Sequence, residues 1–303
     1  MEIRIIHNQN IDYQLWDACI ERSTEKKIYV YSWFLSVAST DWCAIIYDNY
    51  KAVMPLFINR KFGIKYLYKP LLIQQLGIFG DSENVEAIKD VFWNFLQKKI
   101  KFADFQVNKS SLPSNLNLEI GEQTNLLLPL NLPFSELFLN YSTGTKRNIK
   151  KAEKSYLFFD EKISISELIE LKKKVITTKP SSIFWEKLQN LYALADRQLF
   201  ELKVYGVKNE KDELIAAAAW VIFNKSAYYF TSASNEEGKE KFAMFMIVNN
   251  FVKQHANSDL TIDFEGSMLE GIARFYRGFN AIHEPYSRVK YNNLPFFLKF
   301  FKK

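Results

Sequence analysis

The stretch Leu260–Ala281, LTIDFEGSMLEGIARFYRGFNA, decides the fold. Leu260 to Phe264 alternates apolar and polar residues, the period-two pattern of a half-buried strand. Gly266 breaks that pattern, and Ser267 is a good helix N-cap. Ile272, Phe275, Tyr276 and Phe279 then recur at helical spacing. Asn280 suits the left-handed position just past a helix. The stretch therefore reads as strand, tight turn, helix. Asp263 and Glu265, two residues apart on one strand face, stand at the strand's C-terminal end, where ligands bind in open α/β sheets. Tyr276 falls inside the helix that follows.

Working outward, Trp42–Tyr47 and Lys51–Ile58 form a hairpin around Asp48-Asn49. Leu71 to Phe79 is extended, Val85 to Gln97 is an amphipathic helix, and Phe102 to Val107 is a strand. In the second half, Leu202–Val207 and Leu214–Phe223 form a hairpin, Ala227 to Ala233 is a strand, and Phe242 to Gln254 is a helix leading to the decisive stretch. The order hairpin, strand, helix, strand thus occurs twice, with Asp104-Phe105 and Asp263-Phe264 in register. The proline-bearing segment Leu112 to Asn131 is the candidate junction. These readings predict a mixed α/β protein of two similar domains, residues 1–130 and 131–303, each a mixed β-sheet flanked by helices.

The chain of 303 residues is 48% hydrophobic and 16% aromatic, enough for two cores. A net charge of +6 suits anionic ligands such as phosphates, coenzyme A or RNA without establishing any of them. Two cysteines, Cys19 and Cys43, in no metal-binding spacing, and three scattered histidines point away from a metal site and toward a reducing, cytoplasmic setting. The start MEIRII does not read as a signal peptide. The longest apolar run, Leu214 to Phe223, is too short to cross a bilayer as a helix.

Ile272 to Ala281 resembles the last conserved segment of GNAT-type acyltransferases, matching it at Ala273, Phe275 and Tyr276. Asn280 and Ala281 replace the usual Gly-Phe stop. DFEGS at Asp263–Ser267, the FYRGF that follows, WFL at Trp33–Leu35, QQLGIF at Gln74–Phe79 and TKRNIKKA at Thr145–Ala152 together resemble the Fem-like, tandem-GNAT branch. The resemblance implies two GNAT-like halves and transfer of an acyl group to an amine. It implies an acyl-CoA (acetyl-CoA) donor and no metal.

Such transfer needs a base for the amine proton and a group that protonates the leaving thiolate. Glu265 is the candidate base. The competing reading has it capping the next helix or pairing with Arg274. Asp263 is the candidate partner or alternative base. The resemblance makes Tyr276 the candidate acid, against a purely packed aromatic. The resemblance also puts the donor's pyrophosphate on the loop Ser234–Ala243, through Gly238, Lys239, Lys241 and Ala243, although Glu236, Glu237 and Glu240 oppose an anion there. The basic helix Thr145 to Lys154 offers Lys146, Arg147 and Lys150 to a phosphate-bearing substrate or to solvent. Trp33 is a candidate cleft residue or core. The expected acceptor is a small-molecule or nucleotide-linked amine. tRNA is a second possible partner, and nothing calls for DNA or membrane insertion. Two alternatives stay open: aminoacyl-tRNA-dependent peptidyl transfer to a cell-wall precursor, and a non-catalytic binding module.

Overall fold

The computed structural model describes residues 2–61, 63–114, 118–177 and 180–296. The chain divides into two compact units, Met1–Gln123 with Pro285–Lys303, and Thr124–Glu284.

The first unit carries β1 (Ile3–His7), β2 (Cys43–Tyr47), β3 (Ala52–Leu56), β4 (Ile58–Lys61), β5 (Ile64–Tyr68), β6 (Phe79–Gly80), β7 (Phe102–Val107) and β8 (Glu119–Gln123). The second carries β9 (Leu126–Pro129), β10 (Phe158–Asp160), β11 (Glu201–Lys208), β12 (Leu214–Phe223), β13 (Ser226–Ser234), β14 (Thr261–Asp263) and β15 (Ile282–His283). The chain then returns to the first unit with β16 (Tyr286–Asn292). The first unit holds two sheets, β1-β2-β3-β6 and β4-β5-β7-β16-β8. The second is built on one sheet, β10-β11-β12-β13-β14-β9-β15.

The repeat is present in the pairings. β2–β3 and β11–β12 are antiparallel hairpins, and β6 and β13 add antiparallel to β3 and β12. A helix follows each, Ser82–Lys99 and Ala243–His255, and the next strand returns in parallel. In the second unit that parallel pair is β13 with β14. In the first it is reduced to a single bridge, Leu76 to Val107. The expected strand Leu71 to Phe79 is mostly irregular, because the segment divides between that bridge and the two-residue β6.

The expected boundary at residues 130 and 131 is corrected by the pairing of the last strands. β9 leaves the first half of the sequence to pair with β14 and β15. β16 leaves the second half to pair with β7 and β8. Each half of the chain thus supplies a strand to the other unit's sheet, and residues 124–130 and 285–303 change sides. Of the junction segment, residues 115–117 lie outside the described residues, as do 297–303 of the expected second domain.

β12 explains its uninterrupted apolar sequence by being buried on both faces from Ile215 to Val221. Its alanines, Ala216 to Ala219, let helices approach closely. Trp220 stacks on Phe251 of the helix Ala243–His255 at 4.2 Å. No helix among the described residues is long and apolar enough to cross a membrane.

Candidate functional site

The parallel pairing of β13 and β14 covers only Ser226–Thr261, Ala227–Ile262 and Tyr228–Asp263. β13 runs on to Ser234, while the chain leaves β14 at once. The Phe264 amide donates to the Leu126 carbonyl, and Glu265 and Gly266 both take left-handed backbone angles, φ 56° and 57°. Gly266 is required there: a Cβ would collide with the Thr124 carbonyl, and L-residues resist this φ. The two strands therefore part after Tyr228. A cavity of about 540 Å³ lies along the freed edge of β13, walled by Tyr229, Ser232, Ala233 and Ser234.

This geometry corrects two expectations. Strand β14 ends at Asp263, so Asp263 and Glu265 do not share a strand face. Asp263 is buried, and its Oδ1 accepts the Glu265 amide at 2.9 Å, closing the turn. Ser267 does not cap the helix, which spans Glu270–Gly278 behind Leu269. Its hydroxyl instead accepts the Leu269 amide at 3.0 Å. Asn280 does take the left-handed position past the helix, at φ 65°.

Tyr276 lines the cavity. Its ring stacks on Phe264 at 4.4 Å and meets Tyr229 edge-on at 5.9 Å. Burial pushes its phenol well above the ordinary tyrosine range, and the neighbouring Tyr229 and Glu265 push it further. The hydroxyl is therefore protonated at neutral pH and suited to donate a hydrogen bond. Glu265 is half-buried at the turn, close enough for its charge to act on Tyr276, but it is not among the residues walling the cavity. Arg274, the alternative partner for Glu265, is exposed beside Glu270.

The donor loop is folded into a short helix, Glu236–Glu240. Asn235 caps it, its side-chain oxygen accepting the Gly238 amide at 2.8 Å. Gly238 sits against the Ile215 carbonyl, where a Cβ would come within 2.5 Å. Lys239 and Lys241 are ion-paired with Glu236 and Glu237 at 2.6 and 2.8 Å. Gly238 and Lys239 line the cavity, whereas Lys241 does not. Ala243 opens the 13-residue helix Ala243–His255 behind Phe242, whose left-handed φ of 58° makes the sharp entry. No side chain caps this helix, and its first turn, with Met244 and Phe245 in the cavity wall, presents amides and a positive dipole end.

The basic helix spans Thr143–Glu153 and is capped by Ser142. Lys146 donates to the Leu139 carbonyl at 2.7 Å, ending the preceding helix. Arg147 and Lys150 are exposed. Lys151, which the sequence reading passed over, lies 5.1 Å above the Phe242 ring and so reaches the cavity's edge. Trp33 belongs to the first unit, half-buried beside Tyr31 and Phe34.

Lys172 was also missed. It lies on the helix Ile165–Val175, on the stripe shared by Leu168 and Val175, and its Nζ donates to the Ser232 carbonyl at 2.9 Å in the cavity wall. Burial lowers its pKa. The signal was in the sequence: one lysine of Lys172–Lys174 falls at the apolar spacing.

No family model and no curated protein matches this sequence. Solved structures do match its fold. FemX aligns over 95% of this chain and 97% of its own, at 12% identity and a TM-score of 0.62. L-PGS from Bacillus licheniformis aligns over 96% and 95%, at 10% identity and 0.57. A tandem GNAT protein from the clavulanic acid biosynthesis pathway aligns over 97% and 99%, at 9% identity and 0.55. Over nearly its whole length, then, this chain has the tandem GNAT fold in its Fem-like form.

Proposed function

We propose that this protein is an N-acyltransferase that moves an acyl group from an activated donor to an amine. The observation that carries the reading is the cavity at the parting of β13 and β14, with the Tyr276 ring in its wall and the uncapped start of the helix Ala243–His255 beside it. In the proposed reaction the amine nitrogen attacks the acyl carbonyl. A C–N bond forms, the bond to the leaving sulfur or oxygen breaks, and Glu265 takes the amine proton. Tyr276 donates its hydrogen bond to the leaving atom. Asp263 holds the turn that positions Glu265.

For the donor, we propose an acyl-CoA whose phosphates meet the amides at Ala243 and the ammonium of Lys151. Gly238, Lys239 and Lys241 support this less than expected, since each already has a partner within the loop. That observation favours a second reading, in which the donor is an aminoacyl-tRNA held by Arg147 and Lys150. A nucleotide-linked amine acceptor at those two residues belongs to the same proposal.

Thermal-shift titration with acetyl-CoA, CoA and charged tRNA in parallel tests the donor. A ligand at 100 times its dissociation constant stabilises by about 2.7 kcal/mol. Label transfer to amine acceptors tests the reaction. Stabilisation by CoA species alone supports the first donor, and by charged tRNA alone the second. No label transfer with any donor that binds refutes the enzyme assignment.

A further inference from the structure

We infer that the cavity beside β13 receives a bulky apolar acyl group, of medium-chain or aromatic size, and that Lys172 donates to its carbonyl oxygen. The inference deepens the acyl-transfer reading by naming the substrate class, but occupancy of the cavity can be measured without any turnover.

Size is the first argument. Three non-hydrogen atoms of an acetyl group, at roughly 30 Å³ each, fill about one sixth of a 540 Å³ cavity. The remainder must hold solvent, the donor's thioester arm or more of the acyl group. Much of the wall suits an apolar group better than water: Val175, Ile176, Phe242, Met244, Phe275 and Ile272 are apolar, against the polar Lys172, Ser232, Ser234 and Lys239. The apolar surface continues outside. Met268 and Leu269, which lead into the helix whose Gly271 and Ile272 line the cavity, are 64% and 67% exposed.

Lys172 is the second argument. An ammonium has three N–H donors. One goes to the Ser232 carbonyl, and no carboxylate pairs with Lys172 among the described residues. A cation with donors left over, in a mainly apolar wall, fits the carbonyl oxygen of an acyl group. The depression of its pKa by burial accords with a site that water leaves when the ligand enters.

Gly271 makes the test clean. It lines the cavity, and a Cβ built there meets nothing within 4 Å, so a larger side chain has room without disturbing the fold. Binding of acetyl, octanoyl and phenylacetyl thioesters of N-acetylcysteamine, together with phenylalanine methyl ester, is measured by calorimetry on the full chain and on Gly271→Phe and Lys172→Met. Each buried methylene multiplies affinity about fourfold, so six allow on the order of a thousandfold. The expected result is octanoyl or an aromatic probe binding at least tenfold tighter than acetyl. Gly271→Phe should remove that preference, and Lys172→Met should weaken every thioester. Preference for octanoyl assigns a fatty-acyl source, and preference for the phenylalanine ester an aminoacyl source. Equal binding of acetyl and the larger probes, or a Gly271→Phe chain that keeps its large-group affinity, overturns the proposal. Binding with the expected ranking but no transfer to any amine refutes the enzymatic reading and leaves this one standing.

Discussion

Replacing Tyr276 by Phe separates packing from chemistry in one residue. The ring provides the packing: it stacks on Phe264 at 4.4 Å and meets Tyr229 at 5.9 Å, contacts a phenylalanine retains. Removing the whole ring, as in Tyr276→Ala, is expected to cost about 3–5 kcal/mol of stability. The hydroxyl adds little, because no hydrogen bond holds it among the described residues. Tyr276→Phe should therefore unfold in urea within about 0.5 kcal/mol of the parent. Its turnover should fall tenfold to a hundredfold, about 1.4–2.7 kcal/mol of transition-state stabilisation. KM should stay nearly constant, as expected for a hydrogen bond that strengthens only as charge develops on the leaving atom. Turnover and KM are read from initial rates with the best-binding donor, and stability from equilibrium urea curves. Unchanged turnover would refute the role. So would a stability loss above about 1.5 kcal/mol, which would make the hydroxyl structural.

Glu265→Gln, which keeps shape and hydrogen bonding but removes the base, should lower turnover by roughly 10²–10⁴-fold with donor binding retained; full activity between pH 6 and 9 would pass the role to Asp263 or to water. Gly266→Ala should destabilise the second unit by about 1–3 kcal/mol in urea, because it combines a left-handed φ with a collision at Thr124. Arg147→Ala with Lys150→Ala should leave stability within about 0.5 kcal/mol and weaken binding of a phosphate-bearing ligand, flattening its salt dependence. An unchanged salt slope would leave these two side chains to solvent. His255 predicts a pH effect: burial, aided by Lys203, holds its folded pKa below 6.5, so the unfolded chain takes up the proton first as pH falls. Stability should be level above about pH 6.5 and decline below it, and His255→Gln should flatten that decline in urea curves taken from pH 7.5 to 5.

The elements that were legible in the sequence are those whose pattern is local. Leu214 to Phe223 reads as a buried strand, and Val85 to Gln97 as a one-sided helix, because each carries its environment in its own periodicity. The exchanged strands were harder. β16 does alternate, burying Ser287, Val289 and Tyr291 between Arg288 and Lys290, yet nothing local says that its partners are β7 and β8, where Arg288 faces Gln106 and Gly121 far back in the sequence. Arg288 shows the same limit. Its two hydrogen bonds to Asp104, both 2.6 Å, fix that pairing from a distance of 184 residues. At the site, residue types suggested Asp263, Glu265 and Tyr276, but they hid the left-handed turn at Glu265 that takes it off the strand. Likewise the lysines of the loop looked available until Glu236 and Glu237 were found holding them.

Three departures from local preference fall around one place. Phe242 and Glu265 adopt left-handed backbone angles at φ 58° and 56°, where bulky L-residues are held at a cost of order 1–3 kcal/mol each. Glycine would relieve both. Lys172 buries an ammonium on an apolar stripe where leucine or methionine would pack without desolvation. Of the other positive-φ residues, Asp48, Asp212, Asn224, Asn257 and Asn280 are types that adopt this conformation readily, whereas Tyr50, Leu72, Tyr156 and Gln198 hold it at the same cost elsewhere in the chain. Phe242 and Lys172 line the cavity, and Glu265 acts on Tyr276, which lines it too. Left-handed backbone alone does not single out this place, but a buried ammonium beside two such residues at the parting of β13 and β14 accords with geometry kept for a ligand. The expectation is measurable: Lys172→Met should raise stability in urea while weakening thioester binding, and a variant that loses both would show that Lys172 holds the helix Ile165–Val175 in place instead.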